Sequence, residues 1–254
     1  MSARAWLFRR WYAHINRIDV HAELRFLNYG YANGDRPVPL DPADEPSRWC
    51  IHLYRHLADA AELRGRDLVE VGCGRGGGLS YIMRAYGPAT AVGVDLEAGA
   101  VRFCRRQYRQ PGLRFVQGDA HALPLRDASC DVLLSLESSH RYECMGRFLA
   151  EVRRVLRPRG RLLLADFRDR TELPALERDL RACGLLPRSE EDITDGVVAA
   201  LRRDDARRRR LVRQMIPWIA RRPALDFAGA VGTRTFAQLA RHALVYRQYV
   251  LEKK

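Results

Sequence analysis

Short apolar runs alternate with amphipathic stretches through the middle of this chain. DLVEV (Asp67–Val71) and TAVGVD (Thr90–Asp95) predict buried strands, because both are short, mostly apolar and rich in valine. The series continues with RFVQGD (Arg114–Asp119), CDVLLSLE (Cys130–Glu137) and RLLLADF (Arg161–Phe167). Short strands separated by helices predict the α/β class, with a parallel sheet covered by helices on both faces.

The segments between and after these strands predict the remaining elements. Helices are expected at Ser47–Leu63, Gly78–Tyr86, Ala98–Tyr108 and in MGRFLAEVRRVL, which ends at Pro158. After Thr171 we expect a helix (Glu172–Cys183), a weak strand (Leu185–Ile193), a helical block (Asp195–Ala220) and a final strand in ALVYRQYVLEK. The Asp195–Ala220 block has no place in a minimal alternating sheet, so we expect it to cover the ligand site.

The N-terminal part precedes the alternating pattern. Trp6, Trp11, Ile15 and Ile18 fall at roughly helical spacing and predict a helix. The stretch Asn28–Pro46 is rich in proline and predicts an ordered loop.

A net charge of +13 raises the question of a nucleic-acid partner. Only RRDDARRRR (Arg202–Arg210) concentrates the arginines, and without interleaved aromatic residues it predicts a solvated helix face. No apolar run approaches the roughly 20 residues of a membrane span. The six cysteines lack CxxC spacing, so we expect reduced thiols and no zinc site. These features together predict a cytoplasmic protein.

A glycine-rich turn follows the first strand, in LVEVGCGRGGG. A strand, such a turn and a helix N-terminus form a ligand site at the carboxyl edge of a parallel sheet. GCGRGG (Gly72–Gly77) matches GxGxxG loosely, so the motif alone leaves a dinucleotide open. A P-loop is excluded because the turn holds no lysine.

Acidic residues mark the same edge of the predicted sheet. Asp95 ends the second strand at the spacing of an acid that binds a ribose diol, and Asp119 ends the third. Glu70 precedes the glycine turn within the first strand. Each acid alone is as typical of a helix cap, but together with the turn they favour a nucleoside-binding site.

Several pieces, in order, make the chain resemble a class I S-adenosylmethionine-dependent methyltransferase. They are VEVGCGRGG, VGVDL, GDAHALPL, DVLLSLESSH and FLAEVRRVLRPRGRLLLADF, over about residues 67–167. NYGYA, DEPSR, LYRHLA and ESSHRYECMGRFLAEVRRVLRP further resemble the phthiotriol and phenolphthiotriol dimycocerosate methyltransferases, O-methyltransferases of lipid-like polyketides. The resemblance implies a Rossmann-like, mostly parallel seven-stranded sheet and S-adenosylmethionine as cofactor.

The resemblance also implies roles for individual residues. Asp95 would bind the ribose hydroxyls, with Leu96 beside the adenine, and Asp119 and Ala120 would contact the adenine edge. Tyr29, like Tyr31, matches an aromatic position in the segment that closes over the cofactor. The other cofactor-binding residues implied are Glu70, Gly72, Cys73, Gly74, Gly76, Ser135 and Glu137. Arg75 would pair with the cofactor carboxylate or point to solvent.

The domain organisation follows from these assignments. Residues 1–46 are predicted to form an N-terminal helix and a cofactor-covering loop, and residues 47–194 the cofactor-binding core. Residues 195–222 form the lid around the acceptor, and residues 223–254 a C-terminal helix and the final strand. The apolar surface of the acceptor pocket is expected from Val197, Val198, Leu201, Leu211, Met215 and Trp218.

His140 is the candidate catalytic base, because it follows the fourth strand at the ligand-binding edge and histidine is the side chain type whose ordinary pKa suits proton transfer at neutral pH. Asp166, in the fifth strand, would orient His140 or act as an alternative base. The alternative is that His140 caps a helix and Asp166 stands in a turn. His121 is read as structural, and His52 and His56 as helix-surface residues rather than metal ligands.

The predicted activity is methyl transfer to a hydroxyl of a small apolar acceptor. Two alternatives keep the fold: a cyclase or binding protein that does not use the methyl group, and a C- or N-methyltransferase. An RNA or protein methyltransferase is disfavoured because LESS stands where an NPPY-like tetrad is expected. We expect no nucleic-acid partner and no integral membrane contact, and leave a homodimer open.

Overall fold

The computed structural model describes residues 23–32, 34 and 38–254. Within them, seven strands form one sheet: β1 (Asp67–Val71), β2 (Thr90–Asp95), β3 (Leu113–Gln117), β4 (Cys130–Leu136), β5 (Leu156–Asp169), β6 (Leu186–Asp192) and β7 (Leu244–Glu252). Their order is β3-β2-β1-β4-β5-β7-β6. Strands β1 to β5 are parallel, and β7 lies antiparallel between β5 and β6. The predicted mostly parallel, seven-stranded sheet is confirmed.

Eight α-helices accompany the sheet in the described residues. They are α1 (Arg48–Ala58), α2 (Gly77–Tyr86), α3 (Ala98–Gln107), α4 (Met145–Val155), α5 (Leu173–Ala182), α6 (Thr194–Met215), α7 (Arg221–Phe227) and α8 (Arg234–Ala240). One apolar cluster joins the sheet to α1, α2, α3 and α6, and a second joins it to α4 and α5. Helices therefore cover both faces, as the alternating pattern predicts. The helix expected between Trp6 and Ile18 lies outside the described residues.

Two predicted boundaries are wrong. Helix α1 ends at Ala58 rather than Leu63, because the amides of Ala60 and Ala61 bond to carbonyls only three residues back and tighten the last turn. Helix α4 ends at Val155, and β5 begins at once with Leu156 pairing beside Cys130. Proline 158 therefore stands in an extended segment and does not mark the end of a helix.

The solvated face predicted for RRDDARRRR is also wrong in part. Asp204 and Arg208, on α6, are both buried, and the Arg208 Nε lies 3.0 Å from Asp204 Oδ2. The Arg208 guanidinium donates to the carbonyl oxygens of Asn28, Tyr29 and Ala228 at 3.1, 2.9 and 2.9 Å. Helix α6 thus uses this charged segment to hold the N-terminal segment in place.

Candidate active site

The glycine turn joins β1 to α2 at the carboxyl edge of the sheet. Gly72, Gly74 and Gly76 all have positive φ, at 78°, 53° and 71°. A Cβ on Gly72 would lie 2.4 Å from Ser138 Cβ, and one on Gly76 would lie 2.8 Å from the Phe115 ring. Neighbouring side chains of the protein itself therefore leave no room for a Cβ at Gly72 or Gly76. Their predicted contact with the cofactor stays a prediction.

Asp95 ends β2 directly beside this turn. Its Oδ2 accepts from the Gly74 amide at 2.8 Å and its Oδ1 from the Glu97 amide at 2.9 Å. Burial raises the pKa of Asp95 to about 6, against the lowering effect of these two hydrogen bonds. Each oxygen keeps a second acceptor position, which suits a diol.

Leu96 follows Asp95 and is one of the few exposed large hydrophobic residues in the described part of the chain, at 52%. An exposed leucine next to a diol-binding carboxylate offers an apolar surface for a flat base. Its predicted position beside the adenine stays a prediction.

Glu70 is fully buried in β1 and receives the Tyr54 hydroxyl on Oε1 at 2.7 Å. Its Oε2 has no hydrogen-bond partner among the described residues. Burial raises the pKa of Glu70 to about 7. The neighbouring Cys73 buries its side chain in the core, so only its backbone can face a ligand.

Asp119 stands two residues after the end of β3 instead of at its end. Its Oδ1 accepts from both the backbone N and the Nδ1 of His121 at 2.8 Å, and these bonds lower the pKa of Asp119. His121 thus holds the Asp119 carboxylate, and its interpretation as a structural residue stays a prediction. Ala120, which stands between Asp119 and His121 in the sequence, is buried.

Ser135 belongs to a buried chain of hydroxyls under the glycine turn. Its Oγ lies 2.9 Å from Ser138 Oγ, which in turn lies 3.0 Å from the Tyr142 hydroxyl. Ser138 also donates to the Val71 carbonyl at 3.1 Å. Ser135 therefore supports the turn, and its contact with the cofactor stays a prediction.

Glu137 follows β4 directly and has a left-handed φ of 48°. Its Oε1 accepts from the Tyr29 amide at 2.7 Å and from the Tyr246 hydroxyl at 3.0 Å. Burial raises the pKa of Glu137 to about 8, with the Asp166 charge adding to the shift. The N-terminal segment and β7 therefore meet on this carboxyl group.

His140 and Asp166 form a directly bonded pair. His140 Nδ1 lies 2.8 Å from Asp166 Oδ1, and the His140 amide donates to Oδ2 at 2.8 Å. Ser139 Oγ donates to Asp166 at 2.6 Å, and Arg168 lies 3.2 Å away. Burial alone would raise the pKa of Asp166, but His140, Arg168 and Ser139 together hold it well below its usual range. An ionised Asp166 fixes the proton of His140 on Nδ1.

The other ring nitrogen of His140 faces outward from this pair. Arg141 Nε donates to His140 Nε2 at 3.0 Å, so Nε2 acts as an acceptor. The ring of Phe167 packs on the His140 ring with centroids 4.3 Å apart. His140 therefore has the tautomer and the orientation that a general base requires.

An apolar cleft lies beyond these aromatic rings, between α6, α7 and the N-terminal segment. Tyr29 joins the two regions, because its ring packs on Phe167 at 5.4 Å and it also lines the cleft. The cleft has a volume of about 70 Å³. Its lining includes Leu24, Phe26, Leu211, Met215, Ile216 and Phe227.

The structure revises the predicted pocket lining. Leu211 and Met215 do line the cleft. Val197 and Leu201 are fully buried in the core instead, and Trp218 is 79% exposed. Helix α6 therefore turns its first half to the sheet and only its second half to the cleft.

Other candidates of the sequence lie apart from this chemistry. Arg75 is buried with its guanidinium 3.6 Å from the Phe103 ring centroid, so it does not point to solvent. His56 is partly buried and stacks on Tyr31 at 4.2 Å, so it is not a surface residue. Among the described residues no group of three His, Cys, Asp or Glu side chains could hold a metal ion.

Sequence reasoning missed the partners that hold the candidate residues. Tyr54 bonds Glu70, Tyr246 bonds Glu137, and Ser139 bonds Asp166. Ser139 is adjacent to His140 in ESSH, which was a usable signal. The two tyrosines are distant in sequence and carry no motif.

The residues fit the cofactor that the sequence implies. Asp95 has spare acceptor positions for a ribose diol, and Leu96 leaves an apolar surface open beside it. The Glu70 Oε2 lone pairs are buried without a partner in the described residues, which suits the ammonium group of a bound amino acid.

No described helix is long and apolar enough to cross a membrane.

Comparison with known proteins gives a consistent set of relatives. A family model described as a methyltransferase domain matches residues 69–164. The chain is 40% identical over 252 residues to the phthiotriol/phenolphthiotriol dimycocerosates methyltransferase of Mycobacterium tuberculosis, covering 98% of this chain and 92% of that protein. It is 40% identical over 230 residues to the fatty-acid O-methyltransferase of Mycolicibacterium smegmatis, covering 90% and 83%.

A solved structure with the same fold is that of geranyl diphosphate C-methyltransferase from Streptomyces coelicolor A3(2), in complex with S-adenosyl-L-homocysteine. It superposes with a TM-score of 0.70 at 17% identity. The superposition covers 97% of this chain and 98% of that chain.

Proposed function

Because the chain belongs to the S-adenosylmethionine-dependent methyltransferases, we propose that it methylates a hydroxyl group of a lipid-like, largely apolar acceptor. The observation that carries this proposal is the His140–Asp166 pair, which Phe167 and Tyr29 connect to the apolar cleft. The names of the two 40% identical relatives, which act on dimycocerosates and fatty acids, support the acceptor class.

The bound cofactor supplies a methyl group on a sulfonium sulfur. The methyl group is activated because this sulfur is a good leaving group. Asp95 would hold the ribose diol, and Leu96 with Asp119 and Ala120 the adenine. Glu70 would receive the ammonium group on its free Oε2. These contacts align the cofactor, and alignment of two reactants is worth about 7–11 kcal/mol in favourable cases.

His140 would remove the proton of the acceptor hydroxyl. Nδ1 is held by Asp166, so Nε2 has the lone pair that accepts the proton. The hydroxyl must first replace the Arg141 Nε–H that now donates to Nε2. Asp166, held ionised, then stabilises the imidazolium that forms.

A second candidate acceptor is the carboxylate of a fatty acid. The favouring observation is Arg141, whose guanidinium lies 5.8 Å from the ring centroid of the cleft residue Phe227, where it could pair with a carboxylate. A carboxylate is ionised at neutral pH and needs no base. The two acceptors therefore make different demands on His140.

The experiment measures transfer of a labelled methyl group to a long-chain alcohol or phenol and to a fatty acid of the same length. For a hydroxyl acceptor, His140→Ala lowers kcat by about 10²–10⁴-fold, the usual value of a general base. For a carboxylate acceptor the same variant stays within a few-fold of wild type, whereas Arg141→Gln raises KM.

The control is His121→Ala, which removes a histidine from the same edge without touching the pair. Because His121 bonds Asp119, any effect of this variant should appear in the KM for the cofactor and not in kcat. If His140→Ala leaves alcohol methylation within twofold of wild type, His140 is not the base. If cofactor is recovered intact after many turnovers of product, the cyclase alternative replaces methyl transfer.

A further inference from the structure

Two exposed apolar side chains follow the cleft-lining end of α6 in sequence, and the fold gives no explanation for their exposure. Trp218 is 79% and Ile219 is 71% exposed, and with Leu96 they are the exposed large hydrophobic residues of the described chain. Leu96 lies at the cofactor site, but these two lie in the short connection between α6 and α7. An exposed pair of this kind marks a contact with something apolar.

The connection is next to the cleft. Met215 and Ile216 before it and Ala224 after it all line the cleft. Ile216 and Ala224 also belong to a small apolar cluster that closes the end of α6. A molecule that covers Trp218 and Ile219 would therefore lie next to residues that line the cleft.

The surroundings of the pair are strongly basic. Between Asp205 and Asp226 the chain has no acidic residue and seven arginines. Arg210, Arg213 and Arg222 among them are exposed. Arg221 instead bonds to the carbonyls of Ile216 and Arg213 at 3.1 and 3.0 Å and so fixes the shape of the connection.

We propose that Trp218 and Ile219, with the exposed arginines around them, form a docking surface for a bilayer that contains anionic phospholipids. Tryptophan is favoured at the boundary between headgroups and acyl chains, and isoleucine enters the apolar layer. Arginines beside them pair with phosphate groups, and the net charge of +13 favours a negative surface over a neutral one. The positive charge of the protein therefore favours an anionic bilayer over an uncharged, purely apolar partner.

Docking in this orientation brings the lipid layer next to the residues at the end of α6 that line the cleft. An apolar acceptor would then have a short path from the bilayer to the cleft. The docking proposal itself depends only on the connection and its charges, and not on which acceptor is methylated.

The test is sedimentation of the full-length protein with vesicles of phosphatidylcholine alone or mixed with phosphatidylglycerol, without cofactor or acceptor. Wild type binds the mixed vesicles and releases them in high salt. Trp218→Ala with Ile219→Ala weakens binding by about tenfold. Arg213→Gln with Arg222→Gln weakens it by about 25-fold, since each arginine near an anionic surface contributes about fivefold.

The matched control is Arg106→Gln with Arg178→Gln, two exposed arginines on α3 and α5. It removes the same charge and leaves binding within about twofold, and thermal melting checks that all variants fold. Equal binding of wild type and the Trp218/Ile219 variant overturns the proposal. Equal effects of the two arginine pairs overturn the assignment of this surface. Loss of self-association in the Trp218/Ile219 variant, with no vesicle binding by wild type, assigns the surface to a second copy of the chain.

Discussion

At the scale of single residues, four carboxyl groups at one sheet edge are set to different states by their surroundings. Glu70 is fully buried and Asp95 and Glu137 are partly buried, and loss of solvent raises their pKa values to about 7, 6 and 8. Asp166 is buried as well but lies against His140 and Arg168, and its pKa falls. Asp166 therefore stays ionised over the whole pH range in which the other three titrate, and it is the carboxylate that orients the histidine.

Cofactor binding is expected to depend on the ionisation of Asp95. Ribose hydroxyls donate to a carboxylate, so the ligand prefers the ionised form. Affinity for S-adenosylhomocysteine should be highest well above pH 7. Below about pH 6 the protonation of Asp95 should lower this affinity by up to tenfold per pH unit, in addition to the step of Glu70. Calorimetry between pH 5 and 8 measures this.

Asp95→Asn is the control for that titration. It should bind about 10–100-fold more weakly at pH 8, because hydrogen bonds to a charged group are each worth about 1.5–3 kcal/mol. Its remaining pH dependence reports Glu70, whose pKa is about 7, and Glu70→Gln removes that step. A wild-type affinity that is flat from pH 7 to 5 contradicts the role of Asp95.

At the scale of elements, the N-terminal segment is held over the site by contacts to three different parts of the fold. The Tyr29 amide bonds Glu137, the Phe26 ring packs on Tyr54 at 6.0 Å, and Arg208 of α6 holds two carbonyls of the segment. Its described residues 23–32 have neither helix nor strand. Its position therefore depends on these side chains.

Arg208→Ala is expected to lower the free energy of unfolding by about 3 kcal/mol, because it breaks a buried ion pair and leaves carbonyl groups without donors. Urea denaturation measures the change. Arg210→Ala, on the same helix but exposed, should change stability by less than about 0.5 kcal/mol. Similar small values for both variants would show that Arg208 does not hold the segment.

At the scale of the whole molecule, the parallel strands and the acids at their ends followed from the sequence. Strand periodicity and the position of Asp95 after a buried run are local features, so they survive in the fold. Long-range partners are not local: Tyr246 reaches Glu137 from 109 residues away, and Arg208 reaches the Asn28 carbonyl from 180. The sequence shows that residues 202–210 are rich in arginine, but only the packing of the fold decides which of these arginines is buried.

The same packing predicts how the molecule responds to its cofactor. Binding of S-adenosylhomocysteine should slow amide hydrogen exchange in residues 72–78 and also in residues 26–31, because Glu137 joins the N-terminal segment to the site edge. Residues of β6, at the far edge of the sheet, should be unchanged. Protection limited to residues 72–78 would separate the segment from the cofactor site. Mass spectrometry of peptides resolves these regions.

The position of β7 has a consequence for how the protein is made. Leu244–Glu252 fills the gap between β5 and β6, so β6 has no neighbour on the sheet until this stretch leaves the ribosome. A nascent chain thus carries an unpaired strand from the time β6 is made until β7 follows it. A stop codon just before Leu244 would spare every predicted cofactor-binding residue. Its product would still lack β7, and the unpaired edges of β5 and β6 would be prone to aggregation.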